Sequence, residues 1–427
     1  MGLVIPLKMQ RVRLDMEKVT RRDFLAGAAL ASVAVTTKWG FAKDASDGGG
    51  GSARFFFTSE GKTGMMNADG TGLRWFDFKV AKQVRWQPFG FLSDGRVLFL
   101  SLEQQPGKSF EEFYYQTPTH IWIYDLDKDK LTEVANRDRL STFYGGGPVI
   151  NDKRFLMQVV RKDNTQIYNM NLDGSDAKEF TRAGEGFPYG LCASPDGKRV
   201  AFHLATSVGY QVWVSDVDGG NRVKVAADPE HLYFGPRWST DGQWLFFHDC
   251  LHLQNPGHDW ADLYLCRPDG SEKKLLTKGQ GLWFGTSYGV PDHHAGGSET
   301  MYWTHDEKIL CSCRLPGSKT AWEYQPQHPN GDHFNRDYKP AGARGGTEIC
   351  KIDPHDGSVT KITQPGEGTW DFRANESPDG KQIVFSRAKV GECPAIWMMN
   401  SDGTNQRELT QGVNNFGADH GRWVPRG

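Results

Sequence analysis

The string Ile396-Trp397-Met398-Met399-Asn400-Ser401-Asp402-Gly403-Thr404-Asn405, followed by Leu409-Thr410, stands one strand length downstream of Ser377-Pro378-Asp379-Gly380. It decides the fold. Between and around the two turns run short stretches rich in aromatic and aliphatic residues, which suit a pleated surface. Asp and Gly punctuate them because such turns need left-handed backbone and side-chain hydrogen bonds close to home. Two consecutive hairpins make one four-stranded unit.

Working outward, both signatures recur. The Ser-Pro-Asp-Gly kind returns at 93–95, 151–153, 194–197, 239–242 and 304–306. The Asp-Gly kind between outer strands returns at 67–70, 125–127, 171–174, 216–219, 267–270 and 353–357. A unit of roughly 45 residues built from two hairpins is the period of a propeller blade. With the turn at 400–403 the outer turns number seven, so the expected fold is all-β: a seven-bladed β-propeller of four-stranded antiparallel blades. Residues 54–78 lack an inner strand of their own, whereas Gly421-Arg422-Trp423-Val424-Pro425 reads as one. The C-terminal strand is therefore expected to complete the first blade and close the ring, which removes exposed sheet edges.

Composition agrees with this class. The 427 residues include 14 Trp and 50 Gly, with 12% aromatic, 38% apolar and 24% charged residues, enough for a large core with many tight turns. A net charge of −2 supplies no positive field for a polyanionic duplex, which argues against nucleic acid as a partner.

The N-terminal segment reads as processing information. Thr20-Arg21-Arg22-Asp23-Phe24-Leu25 precedes an apolar run from Ala26 to Val35 and the small-residue site Gly40-Phe41-Ala42. This resembles a twin-arginine export signal, and the apolar run is too short to span hydrocarbon. The expected organisation is a signal over 1–42, a linker over 43–53 and the propeller over 54–427. The expected location is periplasmic or secreted, with no transmembrane segment in the mature chain. Seven cysteines follow the signal. An odd number leaves at least one unpaired, and the plain reading of most is a small buried hydrophobe. Cys250 with Cys266, or Cys350 with Cys311 or Cys313, are the pairs that an oxidising compartment can bridge.

The repeats of residues 54–425 resemble the TolB-type propeller family, on strings such as 396–405. The resemblance implies the fold far more than the activity. The same repeat serves peptidoglycan-associated binding proteins, peptidase-associated domains and polysaccharide lyases. The α/β domain that precedes the TolB propeller is not expected here. A propeller peptidase requires a second domain with a Gly-x-Ser-x-Gly nucleophile elbow, and neither is expected in this chain.

Inserts at about 103–118, 250–260, 278–297 and 314–346 interrupt otherwise compact units. They are expected on the face opposite the turns, where loops on a rigid scaffold carry binding and catalysis. They are rich in His: His248, His252, His258, His293, His294, His328 and His333, with His420 opening the last inner strand. The candidate metal ligands are His258, His294, His333 and His420, for a divalent ion such as Mn, Zn or Ca. The plainer reading is a set of polar, solvated loops. Trp260, Trp283, Trp322 and Tyr324 can stack on a sugar ring, with Arg336 forking onto a carboxylate; as a bland alternative, each Trp is a lid over its blade. His248, Tyr288 and Arg373 are the candidate catalytic residues: a base, an alternative base and the partner of a uronate carboxylate.

These assignments describe metal-assisted β-elimination on an acidic oligosaccharide or polysaccharide. In architecture the chain is similar to the oligogalacturonate lyases, which are seven-bladed and hold a metal with three His and a Gln. Their Gln-x-x-His-x-His cluster is not matched, since the corresponding stretch here is Trp370-Asp371-Phe372-Arg373-Ala374-Asn375. No catalytic residue is carried over. A glycoside hydrolase would instead need a carboxylate pair, with Glu299, Glu323, Asp332 and Asp337 as candidates. The alternative to an enzyme is a non-catalytic periplasmic propeller that binds a protein or an envelope glycan on the loop face.

Overall fold

The computed structural model describes residues 53–59, 61–104, 119–137, 147–161, 164–206, 209–229, 231–250, 260–282, 288–290, 293–295, 299, 301–324, 336–411 and 417–425. The N-terminal segment 1–52, where an export signal is expected, and the inserts 105–118, 251–259 and 325–335 lie outside them. Within the described residues the chain is all β apart from one 3-10 turn, Pro340–Gly342.

The sheets form a propeller arrangement. Four of them are separate and four-stranded. The first runs Arg74–Phe76, Lys62–Asn67, Arg54–Ser59 and then the C-terminal Asp419–Trp423, with Phe55 opposite Trp423 and Phe56 opposite Arg422. The second is Gln83–Phe91, Val97–Glu103, Thr119–Asp125 and Lys130–Arg137. The third holds Val149–Ile150 to Lys178–Glu179, and the fourth Phe187–Ala193 to Val223–Ala226. The remaining large sheet has twelve strands. It consists of three antiparallel meanders that begin at Tyr233–Trp238, Tyr302–Trp303 and Thr369–Glu376, joined only through the pairs Gly281–Cys313 and Thr347–Trp370. Two small hairpins decorate it: Tyr288–Val290 with His293–Ala295, and Trp322–Tyr324 with Arg336–Tyr338.

The turns are made as their residue types require. Ser377 Oγ donates to Asp379 Oδ1 at 2.7 Å and Gly380 N to the Ser377 carbonyl at 2.9 Å. Asp402 Oδ1 accepts from Thr404 N at 2.9 Å and from its hydroxyl at 2.7 Å. These bonds set the hairpin registers locally, which is why the repeat is visible in sequence.

Between sheets the side chains interdigitate. Phe56, Phe76, Trp86 and Phe99 fill the space between the first and second sheets, and Leu156, Phe180 and Phe202 that between the third and fourth. Phe55, Phe57 and Trp423 meet Val384, Ile396 and Met398, so the last meander packs on the first sheet. Each sheet is thereby held on both faces, the arrangement that lets a ring stand without helices. All seven cysteines are free thiols, six of them buried. Cys311 lies opposite Cys350, and its sulfur is 3.4 Å from that of Cys313.

Candidate axial site

The innermost strands share one irregularity. Each of five carries a bulge containing a residue with left-handed backbone: Arg85 (φ 61°), Gly190 (φ 61°), Gly235 (φ 62°), Arg373 (φ 53°) and His420 (φ 61°). A bulge re-aims the chain and ends regular pairing at that point. Glycine enters this conformation freely, whereas Arg and His are strained in it. Strain kept at equivalent positions is a signal of function.

Around two of these bulges a buried polar cluster assembles. An Arg373 guanidinium N–H donates to Asp419 Oδ2. The other Asp419 oxygen accepts from Ser386 Oγ at 2.7 Å and from the His420 N–H at 2.6 Å, while His420 Nδ1 lies 3.2 Å from Oδ2. Thr58 Oγ1 donates to the Asp419 carbonyl at 3.2 Å and is 3.3 Å from His420 Nδ1. Glu299 closes the group: its Oε1 accepts from Arg373 N at 2.5 Å and from Ser312 Oγ at 2.8 Å, and its Oε2 is buried with no acceptor or donor partner among the described residues.

The electrostatics follow from this packing. Burial pushes the Glu299 carboxyl up to about 7, against the pull of Arg373. Burial acts the same way on Asp419, but the charges of Arg373 and His420 overcome it and hold the carboxyl well below its usual range. His420 is pushed down by burial and by Arg373, with Asp419 opposing. Two carboxyls within one cluster are thus driven apart, one kept ionised and one titrating near neutrality. That division is what acid–base sites use.

The candidates read from sequence fall in several places. Arg373 and His420 are brought together through Asp419. His248 is buried in Leu245–Asp249, stacked on Phe234 with centroids 5.0 Å apart, and burial followed by the charge of Arg237 lowers it to about 3. Trp260 is buried and stacks on Trp370 at 6.3 Å, and Trp322 is buried against Tyr338 at 5.1 Å. Tyr288 and His294 belong to one hairpin, where Tyr288 pairs with Ala295 and His294 with Gly289. Tyr324 pairs with Arg336 across the other. Trp283, His258 and His333 lie outside the described residues. Among the described residues, no group of three or more His, Cys, Asp or Glu side chains comes together to hold a metal ion.

Two residues escaped the sequence reading, Arg237 and Arg422. Each follows a left-handed bulge residue by two positions and directly precedes a Trp, Trp238 or Trp423. That repeated placement was the available signal. One expectation also needs correction: the pentapeptide Gly285-Thr286-Ser287-Tyr288-Gly289 does match Gly-x-Ser-x-Gly. It leads into the strand Tyr288–Val290, not into the helix that a nucleophile elbow requires.

No family model matches the sequence. Two curated relatives do. An uncharacterized peptidase, YuxL of Bacillus subtilis, is 26% identical over 207 residues, which is 45% of this chain and 28% of the relative. An uncharacterized protein of Agrobacterium fabrum is 24% identical over 212 residues, 48% of this chain and 65% of the relative. The matches thus span less than two thirds of either relative. Among solved structures, a prolyl endopeptidase overlays with TM-score 0.53 and 10% identity, over 95% of this chain and 53% of that one. A puromycin hydrolase gives 0.53 and 13% identity over 88% and 56%. These overlays show the propeller fold. Neighbours also include a TolB protein of Agrobacterium tumefaciens (TM-score 0.40, 15% identity, 88% of this chain and 100% of that) and an oligogalacturonate lyase with manganese (0.46, 14%, 76% and 84%).

Proposed function

We propose that this chain is an exported seven-bladed propeller, closed by its C-terminal strand, that takes an acidic oligosaccharide or polysaccharide at the axial cluster and cleaves it by β-elimination. Four separate four-stranded sheets and a twelve-stranded sheet made of three meanders support the blade count. The pairing of Arg54–Ser59 with Asp419–Trp423 supports the closure. Export rests on the twin-arginine pattern at 20–25.

The observation that carries the chemistry is Glu299, a buried carboxyl pushed up to about 7 beside Arg373. A cation against a uronate carboxylate makes the neighbouring C–H more acidic, and a base of matched pKa removes that proton. The electron pair forms the new C=C bond, the glycosidic C–O bond breaks, and the leaving oxygen takes up a proton. Glu299 is assigned as the base and Arg373 as the carboxylate partner. Among the described residues no three metal ligands come together, and His258 and His333 lie outside them. Metal analysis of the purified protein addresses the loop histidines.

The test is incubation with polyuronates while following the ultraviolet absorbance of an unsaturated uronate. Product formation is expected, and Glu299→Gln should reduce its rate by about 10²-fold or more. No product from any polyuronate would overturn the assignment. A second reading, binding without turnover, is favoured by one observation: His248 is buried and held neutral, away from any acid–base duty. It predicts saturable affinity for a glycan or a protein partner and no product.

A further inference from the structure

The second sheet carries a buried imidazole that the axial cluster does not use. His120 lies near the start of Thr119–Asp125 with its side chain 9% exposed, and its ring is nearly parallel to that of Trp122, with centroids 6.2 Å apart. Trp122 is fixed in turn: its indole N–H donates to Ser101 Oγ at 2.8 Å, and that hydroxyl donates to Gln83 Oε1 at 2.5 Å. On one side of the imidazole, Nδ1 is 2.6 Å from Glu133 Oε1. On the other, Nε2 is buried, has no hydrogen-bond partner among the described residues, and faces Glu103 Oε2 at 3.7 Å. A carboxylate accepting from Nδ1–H selects the tautomer with a lone pair at Nε2. A lone pair on a buried nitrogen then faces a carboxylate, which is costly unless a cation stands between them. A proton is too short a bridge, since hydrogen bonds of this kind span about 2.7–3.2 Å. A metal ion bonded at about 2.0–2.2 Å to each atom fits, because the two bonds together reach about 4 Å.

We infer that His120 Nε2 and the Glu103 carboxylate bind a divalent ion of the zinc class, with Glu133 as the positioning residue behind the imidazole. Imidazole with a carboxylate suits Zn²⁺ better than Mg²⁺ or Ca²⁺, which favour oxygen throughout. A carboxylate on the far ring nitrogen is the usual partner of a metal-bound His: it fixes the ring and raises the basicity of the ligating nitrogen. Glu103 ends Val97–Glu103, and His120 is the second residue of Thr119–Asp125. The ion therefore ties together the two strand ends that 104–118 connects, and should stabilise the folded chain. Two protein donors leave the site open, with water in the remaining positions, unlike a closed cage of three or more side chains. Glu103, with its side chain 32% exposed, gives the ion its way in.

The experiment titrates the full chain, stripped of metal by a chelator, with Zn²⁺ and with Co²⁺, following heat and, for Co²⁺, visible absorbance. Glu103→Gln and His120→Gln should each weaken the binding of one zinc ion by about tenfold or more. Ions held elsewhere bind wild type and variants alike, so the difference between them is what is read. Glu133→Gln should weaken zinc by about 10–100-fold without changing the number of ions, the mark of a residue that positions a ligand. Co²⁺ should give wild type a visible band that Glu103→Gln loses, and zinc should raise the thermal midpoint of wild type more than that of Glu103→Gln. Glu103 is partly exposed, so its variant should fold even if His120→Gln does not. Equal zinc affinity and stoichiometry in wild type and Glu103→Gln overturns the site. Weakened binding in Glu103→Gln with an unchanged response in folded His120→Gln overturns the imidazole as ligand. Displacement of the zinc by a tenfold excess of Mg²⁺ or Ca²⁺ overturns the class of ion, and a Glu133→Gln variant equal to wild type overturns the positioning role.

Discussion

The bulge at Gly190 and the bulge at Arg373 have the same backbone and opposite contents. At Gly190 a Cβ would stand 2.8 Å from His203 Nδ1, so the position admits glycine and little else. At Arg373 the same left-handed conformation is occupied by a long cation held against Asp419. The ring needs the kink in both places, but only one sector keeps a strained side chain for it. The difference separates scaffold from site within one repeat: where Gly190 relaxes the bulge the strand only turns, and where Arg373 occupies it a buried charge is delivered to Asp419.

The largest effect should come from breaking the charged side of this comparison. Asp419→Asn keeps the shape of the side chain and leaves Arg373 buried without its carboxylate, which typically costs about 3–5 kcal/mol. Denaturant unfolding should show the midpoint falling by a corresponding amount with an unchanged slope. A loss below about 1 kcal/mol would mean that the pair is not the support assigned to it.

Next comes the scaffold side. Gly190→Ala combines a positive φ with the contact to His203, and should cost about 1–3 kcal/mol. His420→Gly should behave in the opposite way: it relieves the strain at φ 61°, so stability should hold or rise while glycan binding or turnover falls. Thermal unfolding of the two variants side by side checks the pair. If both fall equally, the residue at the bulge matters only for packing.

The two halves of the comparison were not equally legible in sequence. The scaffold was, because Ser377–Asp379 and Asp402–Thr404 make their turn bonds within a few residues, and such chemistry leaves a local pattern. The axial cluster was legible only in pieces. Arg373 and His420 could be named from their strand starts, and Glu299 as one of several carboxylates. Their meeting depends on bulges that skip a pairing step, and no periodicity announces a bulge. Asp419 and Glu299, 46 and 74 positions from Arg373 in the chain, reach it only because two inner strands and the segment ahead of Tyr302–Trp303 converge. The tryptophans show the reverse: aromatic content in a loop-bordering strand suggested a sugar platform, yet Trp260 and Trp322 are buried against neighbouring rings.

The smallest effect is a matter of slope. Glu299 keeps a proton in the folded chain up to about pH 7, whereas the unfolded carboxyl releases it near its ordinary value of 4.5. Between those values the folded state binds more protons, so its contribution to stability is complete below pH 4.5 and declines as pH rises towards 7. His248 acts in the other direction. Buried and held down to about 3 against an ordinary 6.5, it refuses a proton that the unfolded chain accepts, so stability falls as pH drops below 6.5 towards 3. Around pH 4.5–6.5 the two oppose each other and the wild-type profile should be nearly flat from these groups. Glu299→Gln should uncover the rising limb, with stability increasing with pH across that range, and His248→Gln should uncover the falling one. Unfolding midpoints at stepped pH test the pair: slopes of the same sign in the two variants would show that Glu299 and His248 do not divide the titration as their burial requires.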